Sequence, residues 1–228
     1  MLLIFDWDGT LIDSAAKIVR CMQCAAEQAG VEPLPDEPIR QIIGLSLPQA
    51  IAVLYPNESS ATHEDIRQRY VQHYVGVDQT PSPLFASVAE TLHTLRDAGY
   101  TLAVATGKAR RGLDRVLEQM GMQKFFHATR CADETRSKPH PQMLHELLDF
   151  FVCAPAQALM VGDSCFDMEM AQVAGVPRVA VSYGAHSIEQ MLPYQPLACL
   201  DRFDALLPVV ASIVDLGLRP IVSEGGKG

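Results

Sequence analysis

Leu2-Leu3-Ile4-Phe5 is an unbroken apolar run that stops at Asp6-Trp7-Asp8-Gly9-Thr10, and the same device recurs along the chain. Thr101-Leu102-Ala103-Val104-Ala105, Ala158-Leu159-Met160-Val161 and Val179-Ala180-Val181 are further short apolar runs, each closed by polar or glycine residues. Runs of this length without polar alternation suit strands buried on both faces, as in a parallel sheet. Between them lie stripes at helical spacing: Val88, Leu92 and Leu95; Leu113, Val116, Leu117 and Met120; Leu144, Leu147, Leu148 and Phe151. Strands alternating with helices predict an α/β fold, a doubly wound, Rossmann-like parallel sheet with right-handed crossovers.

One interval breaks that rhythm. Ser14 to Gln79 holds no buried-strand pattern but has helical stretches around residues 18–29, 38–43, 48–54 and 64–75. Gly30, Pro33, Pro35, Gly44 and Pro56 punctuate them. The chain returns through Thr80-Pro81-Ser82-Pro83. This reads as a small all-helical insertion over 14–81, placed after the first strand of a core formed by 1–13 and 82–218, with a polar, glycine-rich tail over 219–228. Both connections sit beside the candidate site, so the insertion is expected to act as a cap that moves over it and excludes water. A fixed helical layer covering the sheet edge is the alternative.

A length of 228 residues fits such a core with its insertion, and 48% hydrophobic with 20% charged residues is an ordinary globular balance. The net charge of −9, with no Lys/Arg block, argues against nucleic acid or an anionic membrane surface as partner. A phosphorylated small molecule stays open, because one or two cations in a pocket suffice for it. No apolar run approaches the about 18 residues of a membrane-spanning helix. The apolar N-terminus meets Asp6 at once, which is too soon for a signal peptide. Six scattered cysteines in a chain of this size read as reduced thiols of a cytoplasmic protein, a monomer or homodimer. Cys21 and Cys24 form a C-x-x-C inside a helical pattern with no second ligand pair nearby, so they read as plain helix residues.

Ligands of open parallel sheets bind outside the carboxyl ends of the strands, and reactive side chains follow the apolar runs here. The first run delivers Asp6 and Asp8, which point the same way while the strand stays extended, with Gly9 free to turn. The second delivers Thr106-Gly107-Lys108 at a helix entrance, where a hydroxyl and an amide suit a phosphate oxygen, or where Thr106 is simply an N-cap. Lys138 precedes a helix within Lys138-Pro139-His140-Pro141, the prolines stiffening its approach. The last cluster is Gly162-Asp163-Ser164-Cys165-Phe166-Asp167, with Asp163 at the strand end and Asp167 one helical turn on. Each cluster alone is weak. Together they bring four carboxylates, a hydroxyl and a lysine to one sheet edge, and four converging acids repel one another unless a cation sits among them. Oxygen ligands of this kind suit Mg²⁺.

These motifs, in this order, resemble those of the haloacid dehalogenase-like hydrolases, and more narrowly the phosphoglycolate phosphatase-like group with a helical cap between the first two core motifs. Asp6-Trp7-Asp8-Gly9-Thr10 matches the first motif, Thr106-Gly107 the second, Lys138-Pro139 the third and Gly162-Asp163-Ser164 through Asp167-Met168 to Gly175 the fourth. Trp7 is bulkier than the aliphatic residue expected there, and its side chain should point away from both carboxylates. The resemblance implies a Mg²⁺-dependent phosphatase acting on a small phosphorylated metabolite. Asp6 would become an aspartyl phosphate, and Asp8 would act as acid and then base, a task that requires it to start protonated. Asp6, the carbonyl of Asp8 and Asp163 would hold the metal, with Asp167 as a ligand or just behind one. Thr106, Gly107 and Lys138 would take the charge of the phosphoryl oxygens. A phosphomutase of the β-phosphoglucomutase type and a non-enzymatic phospho-ligand binding protein are the alternatives. Arg40 and Ser46, beside Gly44 and Leu45, are candidate substrate contacts in the cap. Arg110 and Arg111 are expected to be solvated on the helix after Gly107. Cys165 is an oxidation-sensitive candidate only if exposed.

Overall fold

The computed structural model describes residues 1–215; the tail expected over 219–228 lies outside the described residues. Six strands form one all-parallel sheet: β1 Leu2–Phe5, β2 Thr101–Thr106, β3 Ala128–Cys131, β4 Ala158–Gly162, β5 Arg178–Val181 and β6 Cys199–Leu200, in the order β3-β2-β1-β4-β5-β6. β1 lies between β2 and β4, with Phe5 level with Val104 and Val161, so three strands end side by side. Strand order reverses direction about β1, and the ends of such strands frame the crevice that binds ligands in this architecture.

Alternation along the strands splits the core into two layers. Leu3, Phe5, Leu102, Val104, Leu159 and Val161 face one side. They pack on α5 Val88–Asp97, α6 Arg110–Gln119 and the helix Leu206–Asp215. Leu2, Ile4, Ala103, Ala105, Ala158 and Met160 face the other side and pack on α7 Gln142–Phe150 and α8 Cys165–Val173. Each fully buried Leu, Ile, Val, Phe or Met among them stabilises the fold by about 1.5–3 kcal/mol. Both faces being covered explains why the strands read as continuous apolar runs. Trp7 sits in the first layer, edge-on to Phe126 with ring centroids 6.0 Å apart, away from the carboxylates on either side of it in sequence.

Between β1 and α5 the chain forms four helices: α1 Ala15–Gln28, α2 Asp36–Arg40, α3 Leu47–Leu54 and α4 Ser60–Gln72, the last running into a π-helical turn over His73–Val77. They share a core of their own, in which Val19, Met22, Ile39, Ile51, Leu54 and Ile66 are buried together. The second helix ends at Arg40, earlier than the pattern suggested, and residues 41–44 follow as turns. The two connections run side by side: Asp13 N–H donates to Pro83 O at 2.8 Å and Phe85 N–H to Leu11 O at 3.0 Å. Arg20 and the Thr80 amide both bind Asp78, at 3.1 and 2.8 Å, fastening the return to α1. Among the described residues no helix is long and apolar enough to cross a membrane.

Candidate active site

Three of the motif carboxylates and the motif lysine arrive at one place. Lys138 is fully buried, and its Nζ donates to Asp6 Oδ1 and to Asp167 Oδ1, each at 2.6 Å. Asp6 hangs from the end of β1, Asp167 from the first turn of α8, and Lys138 from the loop between β3 and α7. Ser164 caps α8 and gives its hydroxyl to Asp167 Oδ2 at 2.6 Å, so both oxygens of Asp167 are engaged. Asp163 is held by Thr10 Oγ1 at 2.7 Å on one oxygen and by the Ala185 amide at 2.7 Å on the other. That fit is tight. Gly9, at φ 87°, lies so close to the Asp163 carboxylate that a Cβ there would overlap it, as would one at Gly184.

One carboxylate oxygen from each of Asp6, Asp163 and Asp167 lies within 4.8 Å of the others, and all three side chains are buried. Asp6 Oδ2 is buried and has no hydrogen-bond partner among the described residues. Desolvation pushes the Asp6 carboxyl well above its ordinary range; Lys138 opposes the rise, and the charges of Asp167 and Asp163 add to it. Asp163 is raised to about 7, chiefly by burial and then by Asp167, while Thr10 and the Ala185 amide pull the other way. For Lys138, burial favours the neutral amine, but Asp167 and Asp6 together outweigh it and hold the ammonium firmly charged. An orphaned carboxylate oxygen among acids too crowded to ionise together is a set of hard oxygen donors that fits a divalent cation.

Asp8 stands apart from this group. Its Oδ1 accepts from Ser14 Oγ at 2.7 Å, and its Oδ2 pairs with Lys108 Nζ at 2.9 Å. Lys108 Nζ in turn sits 5.0 Å from the ring centroid of Tyr74. Thr106 Oγ1 accepts the Lys108 amide at 3.1 Å, so the hydroxyl shapes the turn into α6. Gly107 touches the helical insertion: a Cβ there would come within 2.6 Å of Leu45 O and closer still to Gly44 O.

Above Asp6 and Asp8 opens a cavity of about 1080 Å³ between the insertion and the start of α6. Gly44, Leu45, Gly107 and Lys108 line it, and so do Arg110 and Arg111. Arg40 and Ser46 are not among its walls: Arg40 closes α2, and the Ser46 amide donates to Ser137 Oγ at 2.8 Å. Arg110 is not a free solvated residue, since it binds Glu134 at 2.8 Å and Asp114 at 3.0 Å. The Cys165 thiol donates to Gln190 O at 3.3 Å and is raised above its usual range, mainly by burial, which disfavours the reactive thiolate. Cys21 and Cys24 lie in α1 without a metal-ligand group around them; among the described residues that grouping occurs only at Asp6, Asp163 and Asp167.

Sequence reasoning missed the residues that orient the principal groups: Thr10 and Ala185 on Asp163, Ser14 and Lys108 on Asp8, Ser164 on Asp167. Thr10 and Ser164 had a usable signal, each adjoining a motif carboxylate. Ala185 acts through its amide and had none.

The chain is similar to known proteins over most of its length. The family model for haloacid dehalogenase-like hydrolases matches residues 3–181. A phosphoglycolate phosphatase of Aliivibrio fischeri is 33% identical over 218 residues, covering 92% of this chain and 96% of that one. A probable phosphatase, IndB, of Dickeya dadantii is 31% identical over 224 residues, covering 96% and 97%. A solved haloacid dehalogenase-like hydrolase of Streptococcus pneumoniae superposes with a TM-score of 0.78 at 25% identity, covering 92% of this chain and 97% of that one.

Proposed function

Because the chain belongs to the haloacid dehalogenase-like hydrolases, we propose that it is a Mg²⁺-dependent phosphatase that hydrolyses a small organic phosphomonoester through an aspartyl phosphate on Asp6. Relatives are named as phosphatases, and phosphoglycolate, the substrate in the name of one of them, is the first ester to try. The observation that carries the proposal is the state of Asp6. One oxygen is fixed by a buried lysine, the other is buried without a partner among the described residues, and the side chain borders the cavity.

Asp6, Asp163 and the main-chain carbonyl of Asp8 would hold the ion, with Asp167 behind them steering Lys138. When bound, Mg²⁺ supplies positive charge against the phosphoryl oxygens and relieves the repulsion among the carboxylates. Asp6 attacks phosphorus as the bond to the leaving oxygen breaks, splitting one displacement into two easier ones. Asp8 gives a proton to the departing alkoxide, then takes one from the water that cleaves the aspartyl phosphate and frees inorganic phosphate. Ser14 and Lys108 aim the Asp8 carboxyl through its two oxygens, and the partner on the oxygen that carries the proton must release it first. Lys138, Thr106 and the Gly107 amide meet the charge on the transferring group. The helical insertion is the cap that closes the cavity over these groups.

Phosphate release from a panel of esters, with and without Mg²⁺, tests this. Asp6→Asn is expected to lower turnover at least about 10⁴-fold while leaving the protein folded. Full activity in that variant would remove Asp6 from the mechanism.

A further inference from the structure

The route out of the site is aromatic and apolar. Asp8, which serves the leaving oxygen in the reading above, is paired with Lys108, and Lys108 lies against the ring of Tyr74. Tyr74 stacks on Tyr70, with centroids 5.7 Å apart and planes inclined by 24°. Whatever is attached to the leaving oxygen therefore passes these rings first. Beyond them the insertion contributes Ile18, Met22, Ile43 and Leu45 to the cavity wall. Val71 and Val75 line the same cavity and remain 42% and 52% exposed. Of the cations lining the cavity, Lys108, Arg110, Arg111 and Arg115 come from the core, while Arg67 of the insertion is paired with Glu64 at 2.6 Å.

Size points the same way. A cavity of about 1080 Å³ slightly exceeds the roughly 300–1,000 Å³ range that buries drug-sized ligands. A two-carbon acid would leave most of the apolar wall against water, which gains nothing from burial. We infer that the preferred substrate is a phosphomonoester whose alcohol carries a sizeable apolar, ring-bearing body seated against Tyr70 and Tyr74, rather than a two-carbon acid. The inference rests on the phosphatase reading and narrows its substrate class.

The test compares esters with similar leaving oxygens and different bodies: ethyl phosphate, 2-phosphoglycolate and 2-phenylethyl phosphate, each with the full chain and Mg²⁺. The kcat/KM for 2-phenylethyl phosphate is expected to exceed that for each of the other two by about tenfold or more. In Tyr70→Leu, the ratio of 2-phenylethyl to ethyl phosphate should fall about threefold or more. That ratio is taken within one protein preparation, so partial misfolding of the variant cancels from it. Preference for 2-phosphoglycolate, or a ratio indifferent to the ring in either protein, would overturn the inference and leave the phosphatase standing. If none of the esters is hydrolysed, the phosphatase reading falls and the inference with it.

Discussion

At the scale of single residues, Lys138 is a buried ammonium whose desolvation must be offset by its partners. Removing an ammonium from water is unfavourable by several kcal/mol even after relaxation, and only close partners offset it. Lys138 has two, Asp6 and Asp167, both at 2.6 Å and both buried. Replacing it removes the only positive side chain among the described residues that bonds either acid, and leaves the two carboxylates without it. Lys138→Met is therefore expected to destabilise the fold by about 3–5 kcal/mol in urea unfolding without added metal, the cost of breaking a buried pair. A loss below about 1 kcal/mol would show that Lys138 is not what holds those acids in place. The lysine was legible as a side chain whose approach is stiffened by the prolines that follow it. Its burial was not, because both of its partners are remote: Asp6 is 132 residues away and Asp167 is 29.

At the scale of elements, what decides the geometry is how closely the insertion meets the core. Gly107, between β2 and α6, has room for no side chain because the Gly44 and Leu45 carbonyls press on it. Backbone cannot rotate aside as a long side chain would. Gly107→Ala should thus push the 44–45 segment off the core and cost about 1–3 kcal/mol in denaturant unfolding; an unchanged midpoint would mean that the contact is loose. The far end of the insertion is pinned at Asp78, whose carboxyl is held below its ordinary range first by hydrogen bonding with Thr80 and then by Arg20. A depressed carboxylate stabilises the fold fully above its unfolded value, about 3.9, and loses that contribution as pH falls through the lower folded value. Asp78→Ala should consequently show a lower Tm than the parent at pH 7, with the gap closing below about pH 4. A gap that persists unchanged in acid would mean that the charge is not what matters. The insertion helices were legible from their Gly and Pro punctuation. Two strands were not: β3 reads Ala-Thr-Arg-Cys and is largely half-buried, while β6 has only two residues, so neither makes an apolar run. The fourth helix concealed its use for a related reason. Ile66 is its only fully buried residue, and Arg67, Tyr70, Val71 and Gln72 line a cavity instead of packing into a core, so no apolar stripe marks that face.

At the scale of the whole molecule, the site is a property of the sheet rather than of any segment. Asp6, Thr106 and Asp163 end or follow β1, β2 and β4, and parallel pairing in register brings those ends together. That much could be read from sequence, since apolar runs followed by polar clusters imply one common edge. The cavity could not, because its volume depends on how far the insertion stands from α6, a distance no local pattern encodes. The folded chain gathers three buried carboxylates within 4.8 Å, a grouping that the unfolded chain does not preserve, so a divalent ion should bind the native state selectively. Ligand that binds only the native state stabilises it by RT ln(1 + [L]/Kd), about 2.7 kcal/mol at a hundredfold excess over Kd. For a chain of this size each kcal/mol raises Tm by roughly 2–4 °C. Saturating Mg²⁺ should accordingly raise Tm by several degrees at neutral pH, with no substrate present. The shift should vanish in Asp163→Asn, which loses one ligand charge but retains a side chain able to accept from Thr10. An equal shift in that variant would place the ion elsewhere, and no shift in the parent protein would remove the metal from the site.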